Sequence, residues 1–191
     1  MRERLLNATI DALVQFGYAG ATVSRIADAA SVTRGAQVHH YPLKADLVIA
    51  AVQHLAAARS AQLVADLNKL NNSGDLAGDL LDMLWDLHQG PVFVATVELW
   101  VAARVDADLR QHIETLEPFV EASLAQYCEH LMSGRDVGAD FLFAVYTAMD
   151  AIRGLLISTW GLPAAKVKAR WRRSKPLLQL MFGAERITAS S

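Results

Sequence analysis

The chain has 191 residues, 53% of them hydrophobic but only 7% aromatic, and a formal net charge of −2 from 18 basic and 20 acidic side chains. This balance excludes a globally basic nucleic-acid binder, so any nucleic-acid surface must be local. The length permits one large domain or a small domain joined to a larger one. Ala and Leu fill most apolar positions, which favours helices over sheets.

Cysteine usage and the N-terminal sequence indicate the compartment. Cys128 is the only cysteine, which excludes an intramolecular disulfide and a cysteine-built zinc site and is typical of a reducing compartment. The first residues, MRERLLNATIDALVQF, alternate charged and apolar residues at helical spacing and lack the apolar core of a signal peptide. We therefore expect a cytoplasmic protein.

The first 41 residues predict a helix-turn-helix. A first helix over residues 2–16 ends at Gly17, which can adopt the left-handed conformation that stops a helix. Thr22 and Thr33 can cap two further short helices, the last of which ends just before Pro42, since proline disfavours helical geometry in the preceding residue. The inward residues of the first two helices are predicted to be Leu6, Ile10, Leu13, Phe16, Val23, Ile26, Ala27 and Ala30. Two short helices that are joined by a tight turn and supported by a first helix form a helix-turn-helix.

The remaining chain predicts a helical body. A long linker helix over residues 43–70 contains neither Gly nor Pro, and NNSGD at 71–75 breaks it. Further helices are predicted over residues 76–89, 92–104, 107–132, 139–160 and 164–182. The sequence therefore predicts an all-α protein, with a helix-turn-helix head at residues 1–47 and a larger helical body at residues 48–191.

The motif TRGAQVHHYPLK (33–44) raises the question of metal binding or catalysis. His39 and His40 are adjacent, so on a helix they point about 100° apart, which does not suit two ligands of one metal ion. The chain contains neither a Gly-x-Ser-x-Gly sequence nor a phosphate loop. We therefore expect no metal, no cofactor and no enzymatic activity.

The side chains of the same motif are suited to contacts with DNA bases and phosphates. Arg34 and Gln37 can face outward, where Arg34 would pair with guanine and Gln37 with adenine, while Val38 would face inward with Val32, Ala36 and Tyr41. Gly35 would let backbone approach the DNA, and hydroxyl and ammonium groups at helix starts would contact phosphates. The predicted DNA-binding residues are Thr22, Arg25, Thr33, Arg34, Gly35, Gln37, His39, His40 and Lys44.

The charge of the head indicates a dimer. Residues 1–47 carry five basic and four acidic side chains, a net charge of +1. One head would bind DNA weakly, and two heads in fixed geometry would be needed. Two alternatives stay open: a helical ligand-binding or interaction protein without sequence-specific DNA binding, and a helical enzyme with an apolar pocket.

Three sequence features of residues 4–50 carry a resemblance to a known family. They are an apolar helix ending FGYAGATV, the segment TVSRIADAASV, and the pattern TxGAxxHHYPxKxDL. Together they resemble the TetR family of one-component transcriptional regulators. The resemblance implies homodimers whose heads bind a palindromic operator. It also implies helical bodies that bind small, often apolar molecules and dimerise through the last two long helices.

Three positions depart from the family pattern. Gln37 and Val38 replace a usual Leu-Tyr pair, which removes a common phosphate-contacting tyrosine and leaves Gln37 as an additional reader. Ser31 replaces the usual turn glycine, from which we expect a turn with little or no strain. Leu43 stands where a capping Ser or Asn is usual, so we expect a less well capped linker helix.

Charges in two apolar segments of the body indicate either a ligand pocket or internal ion pairs. Glu98 and Arg104 lie within residues 92–105, and Asp150 and Arg153 lie three residues apart in the most apolar stretch. In the first interpretation Glu98 or Asp150 orients a small molecule in a cavity lined by Trp85, Phe93, Trp100, Tyr146 and Met149. In the second the aromatic residues are core, and Asp150 pairs with Arg153 or across the dimer.

Two segments could indicate a membrane. Residues 141–160 are long enough to span a bilayer, but Asp150 and Arg153 lie at the centre, where a charge costs about 2.5 to 3.5 kcal/mol on insertion. Residues 166–175 carry six basic side chains and no acid, yet Val167, Trp171 and Leu178 run between the charges as a packing stripe. We expect a buried helix, a packing helix and no membrane contact.

The sequence thus predicts a homodimeric DNA-binding transcriptional regulator. The most specific form of this hypothesis is a repressor that leaves a palindromic double-stranded DNA operator when a small, largely apolar effector binds the body.

Overall fold

The computed structural model describes residues 1–70, 75–114 and 140–182, with the side chains of residues 59–70 excepted, and this part is helical without strands. Its helices are α1 (Arg2–Gly20), α2 (Val23–Ala29), α3 (Arg34–His40), α4 (Lys44–Leu70), α5 (Leu76–Leu87), α6 (Pro91–Ala103), α7 (Ala107–Glu114), α8 (Phe141–Ser158) and α9 (Ala164–Gln179), followed by a 3₁₀ turn (Leu180–Phe182). The predicted all-α class is confirmed. The predicted helix over 107–132 lies outside the described residues beyond 114, as does Cys128.

Helix α1 forms because its apolar residues recur at helical spacing. It buries Leu5, Leu6, Thr9, Ile10, Ala12 and Leu13. Gly17 has φ +65° and interrupts the helix as predicted, after which one more turn leads to Gly20. Phe16, which was expected to face inward, is 42% exposed, because the helical stripe turns away from the core at its end.

The described residues form two compact units. The first consists of α1 to α3, α4 as far as Gln62, α6 and α7. Helix α6 packs along α1, and Ala95, Leu99 and Ala103 of α6 belong to the same hydrophobic core as the apolar residues of the head. The predicted boundary between the helix-turn-helix head and the helical body, at residues 47 and 48, lies within this first unit. It stays a prediction of where the DNA-binding part of the chain ends.

The second unit contains α5, α8, α9 and the 3₁₀ turn. Trp85 stacks on Trp171 with ring centroids 4.6 Å apart, and Phe141 meets Phe182 edge to face at 5.5 Å. The predicted packing role of Trp171 is thus confirmed. Several basic side chains of α9 lie outside this stripe, namely Lys166, Lys168, Arg170, Arg172 and Arg173.

Helix α8, which was expected to be a buried helix, is buried on one face within the chain. One face packs inward with Ala148 and Ile152, whereas the opposite face exposes Phe143 and Asp150. Within the described part, α8 alone is long and apolar enough to cross a membrane by composition. Asp150 is paired with Arg153 at 3.3 Å, which is the neutralising pair expected in the second interpretation.

The start of α4 is capped by a carboxylate. The backbone N–H of Leu43 donates to Asp46 Oδ2 at 3.2 Å, the bond that the acidic residue of a capping box makes. Asp46 therefore contributes half of the cap, although Leu43 offers no side-chain acceptor of its own.

The turn between α2 and α3 is strained, contrary to expectation. Ser31 has φ +53°, in the left-handed region that favours glycine. The turn therefore keeps the backbone conformation of the family's glycine while carrying a side chain.

Ser31→Gly is expected to raise the free energy of unfolding by about 0.5 to 1 kcal/mol, because relief of the left-handed conformation outweighs the added flexibility of the unfolded chain. Urea denaturation would measure this, with Ser31→Ala as the control that keeps a Cβ. An equal gain for both variants would contradict strain at this position.

Candidate DNA-binding surface

Threonine hydroxyls fix the starts of both helices of the helix-turn-helix. Thr22 Oγ1 accepts from the N–H of Arg25 at 3.3 Å, and Thr33 Oγ1 accepts from the N–H of Ala36 at 3.3 Å. Both predicted caps are confirmed. The caps set the limits of two helices that are too short to be stable in isolation.

The outer face of α3 is exposed. Thr33, Arg34 and Gly35 are exposed at its N-terminal end, and a Cβ built on Gly35 would meet nothing within 4 Å. His39 and His40 are also exposed, with their rings edge to face and centroids 5.4 Å apart. Within the described part of the chain, Arg34 makes no hydrogen bond or ion pair. Its guanidinium can therefore form two parallel bonds to a base edge or a phosphate.

The structure reverses the predicted orientations of Gln37 and Val38. Gln37 is buried, with 1% of its surface exposed, whereas Val38 is 44% exposed. The amide nitrogen of Gln37 donates to the carbonyl of Tyr41 at 2.9 Å, and its Oε1 is buried without a partner in the described residues. The position of the pattern's usual leucine is thus the buried one in this chain, and the position of its usual tyrosine is the exposed one. The predicted outward orientation of Gln37, which a contact with adenine would need, was therefore wrong.

Two predicted DNA-binding residues, Lys44 and Arg25, are held against the end of α1. The ammonium of Lys44 donates to the carbonyl of Tyr18 and lies 3.9 Å from the centroid of its ring. Burial lowers the pKa of Lys44, while Asp106 raises it. Arg25 is similarly placed, since it donates to the carbonyl of Gly20 and stacks on Phe16 at 4.1 Å.

Tyr18 is a site residue that the sequence analysis missed. Its N–H donates to Glu98 Oε2 at 3.4 Å, so Tyr18 contacts both α4 and α6. Burial raises the pKa of its phenol, as does Asp106. The available signal was the aromatic residue in FGYAG directly after the left-handed glycine, although its partners are remote in sequence.

The predicted pocket residues fall in both units. In the first unit, Phe93 is buried, Trp100 is 37% exposed, and Glu98 accepts from the N–H of Tyr18 at the end of α1. In the second unit, Trp85 and Tyr146 are half-buried and Met149 is buried. The Asp150 side chain is 76% exposed and pairs with Arg153, which contradicts an orienting role in a closed cavity.

An open cavity of about 340 Å³ lies in the second unit between α8 and α9. Apolar side chains line it together with polar groups of α9, and none of the predicted pocket residues takes part. The lining consists of Ala151, Ile152, Leu155, Arg170, Trp171, Arg173, Ser174, Leu177 and Leu178.

The sequence comparisons identify the family. The family described as "Bacterial regulatory proteins, tetR family" matches residues 5–51. The HTH-type transcriptional regulator CymR of Pseudomonas putida is 31% identical over 175 residues, which cover 89% of this chain and 83% of that protein. The chain belongs to the TetR family.

Solved structures share the fold of this TetR-family chain. The multidrug binding protein EbrR complexed with imidazole covers 100% of the chain, and 96% of its own length, at 22% identity and a TM-score of 0.63. A TetR-family regulator from Mesorhizobium loti covers 96% of each chain at 15% identity and a TM-score of 0.69. The chain is a DNA-binding transcriptional regulator and not an enzyme. Regulators of the TetR family bind DNA and small-molecule effectors and are typically dimers.

Gln37→Leu is expected to stabilise the fold by about 1 to 2 kcal/mol, because it removes a buried acceptor that has no partner in the described residues. Chemical denaturation would measure the change, and Val38→Leu on the exposed face serves as the control without a comparable gain. DNA affinity should be retained in Gln37→Leu. A folded variant that has lost DNA binding would place Gln37 on the DNA.

Proposed function

We propose that this regulator is a cytoplasmic repressor that binds a palindromic operator as a homodimer and leaves it when a small, largely apolar molecule binds the helical body. The exposed outer face of α3 carries the proposal, because Arg34, His39 and His40 are exposed on a helix whose start is capped by Thr33. EbrR has been solved with malachite green and with ethidium, both largely apolar molecules, which supports an effector of this class.

The proposed DNA contacts divide into base and phosphate contacts. Arg34 is the proposed base reader, because a planar guanidinium can bond two acceptors of guanine. The proposed phosphate or edge contacts are Thr22, Arg25, Thr33, Gly35, His39, His40 and Lys44. Lys44 would have to exchange the Tyr18 carbonyl for a phosphate oxygen, since its ammonium already lies on that residue.

The proposed release runs through α4 and α6. Lys44 at the start of α4 and Glu98 on α6 both contact Tyr18 at the end of α1. An effector that favours a different position of α4 or α6 would therefore move α1, the first helix of the head. In a dimer, such a movement changes the spacing of two recognition helices that must match half-sites on one face of the DNA.

The proposed dimer surface is the outer face of α8 and α9. Large apolar side chains are exposed along it, among them Phe143 (69%), Leu177 (65%) and Ile157 (39%). Gly154 lies on the same face of α8, and a Cβ at this position would meet nothing within 4 Å. Exposed apolar residues beside a small residue allow two helices to approach closely.

Selection of random double-stranded DNA on the purified protein at physiological salt tests the proposed function. We expect a palindrome to be enriched, and the enriched DNA would then serve to screen apolar molecules for release. Enrichment of a non-palindromic site, or no enrichment by a folded dimer, would contradict the proposal.

Arg34→Ala is expected to weaken binding to the selected operator by about 1 to 3 kcal/mol and to relax base preference at one position of each half-site. Binding titrations against single-base variants of the operator would measure both effects. Arg34→Lys is the matched control, because it keeps the charge but loses the paired bonds. An equal loss on every sequence would make Arg34 a phosphate contact.

Leu177→Glu is expected to weaken dimerisation by more than tenfold, because an unpaired charge buried at an interface costs about 2 to 5 kcal/mol. Sedimentation velocity over a concentration series would show the change. Val105→Glu is the control at an apolar residue outside α8 and α9 that is 89% exposed. A dimer that is unaffected by Leu177→Glu would place the interface elsewhere.

A further inference from the structure

His112 on α7 contacts the first turn of α4. Its Nε2 lies 3.1 Å from Asp46 Oδ1, and its Nδ1 lies 2.7 Å from the backbone carbonyl of Asp108. The second oxygen of Asp46 accepts from the N–H of Leu43 at 3.2 Å. A single carboxylate therefore caps α4 and joins it to α7.

The geometry around His112 requires a charged ring. A backbone carbonyl and a carboxylate are acceptors only, so each ring nitrogen must supply a proton to form its bond. A neutral imidazole has one N–H group and can form one of these two bonds, whereas the imidazolium can form both. The contact between α7 and α4 is therefore complete only while His112 carries both protons.

His88 in the second unit provides a contrast. Its Nδ1 lies 2.7 Å from the carbonyl of Leu84, while its Nε2 accepts a hydrogen bond from Nε of Arg153 at 3.2 Å. An accepting nitrogen needs its lone pair, so His88 is neutral in this arrangement. The two histidines make the same backbone bond to the fourth preceding residue, but their Nε2 atoms need opposite protonation states.

We propose that His112 and Asp46 form a pH-dependent latch between α7 and the start of α4, closed by the imidazolium and open once Nε2 loses its proton. Within residues 1–70, 75–114 and 140–182, acidic groups that act on the ring include Asp46 of α4 and Asp108 of α7 itself. Helix α6 also packs against α7, but its Glu98 contacts Tyr18. The latch lies at the junction between the head and the linker helix, since α4 begins four residues after α3 ends.

The direction of the pH effect follows from the bonds. The bond to the Asp108 carbonyl raises the pKa of His112 most, burial opposes this, and Asp46 adds to the increase. Because the folded-state pKa is raised, the latch contributes its full stability below about pH 6.5 and loses it as the pH rises through the folded pKa. The latch is thus closed in mildly acidic solution.

Nitrogen-15 NMR of the full-length, histidine-labelled protein tests the latch without DNA, so the result is independent of the proposed repressor role. We expect His112 to lose the proton from Nε2 and to keep the proton on Nδ1. Asp46→Asn should shift the His112 midpoint to lower pH, because an amide cannot stabilise the imidazolium as a carboxylate does. Loss of the Nδ1 proton first, or a midpoint unchanged by Asp46→Asn, would overturn the proposal.

Urea denaturation between pH 6 and pH 8.5 supplies a second measurement. The midpoint of the wild-type protein should exceed that of His112→Gln at pH 6, and the difference should shrink towards pH 8.5. His54→Gln is the matched control, since His54 is an exposed histidine on α4. A difference between wild type and His112→Gln that is constant with pH would show a packing role only and would overturn the latch.

Discussion

The backbone of Tyr18 joins three helices of the first unit. Its carbonyl accepts from the ammonium of Lys44 on α4, and its N–H donates to the carboxylate of Glu98 on α6. These contacts of Tyr18 require a glycine at the position before it, because Gly17 has φ +65° and a Cβ on Gly17 would lie 2.8 Å from Glu98 Oε2. A left-handed glycine therefore permits a carboxylate from α6 to reach the end of α1, and this contact adds to the apolar core that packs α6 along α1.

The head combines a very short helix, α3, with a linker helix whose first turn is held by polar contacts. Helix α3 has seven residues, which is too short for a stable isolated helix, so its position depends on the Thr33 cap and on its packing against α2. The start of α4 is fixed at Lys44 by Tyr18 and at Asp46 by the N–H of Leu43. The same turns of α4 also place Leu47 and Val48 in the apolar core of the first unit, so a displacement of α4 would change both the polar contacts and the core packing.

Interactions between residues close together in the chain could be predicted from the sequence, whereas those between remote residues could not. The caps at Thr22 and Thr33, the stop at Gly17 and the limits of α4 were predictable, because they are set by residues within a few positions along the chain. The partner of Glu98 lies 80 residues away, and the partner of Lys44 lies 26 away. Helical periodicity cannot identify such pairs. It also favoured Val38 over Gln37 as the inward residue, since hydrophobicity alone ranks valine as buried.

The departures from the family pattern act on different properties. Ser31 and Gln37 bear on the stability of the head, because one holds a strained φ and the other buries an acceptor without a partner in the described residues. Neither places a new group on the outer face of α3. Val38 does, since it exposes an aliphatic side chain where the family presents a tyrosine. An aliphatic side chain cannot bond a phosphate but can contact the methyl group of thymine. Of the three departures, Val38 is therefore the one that changes the groups on the exposed outer face of α3.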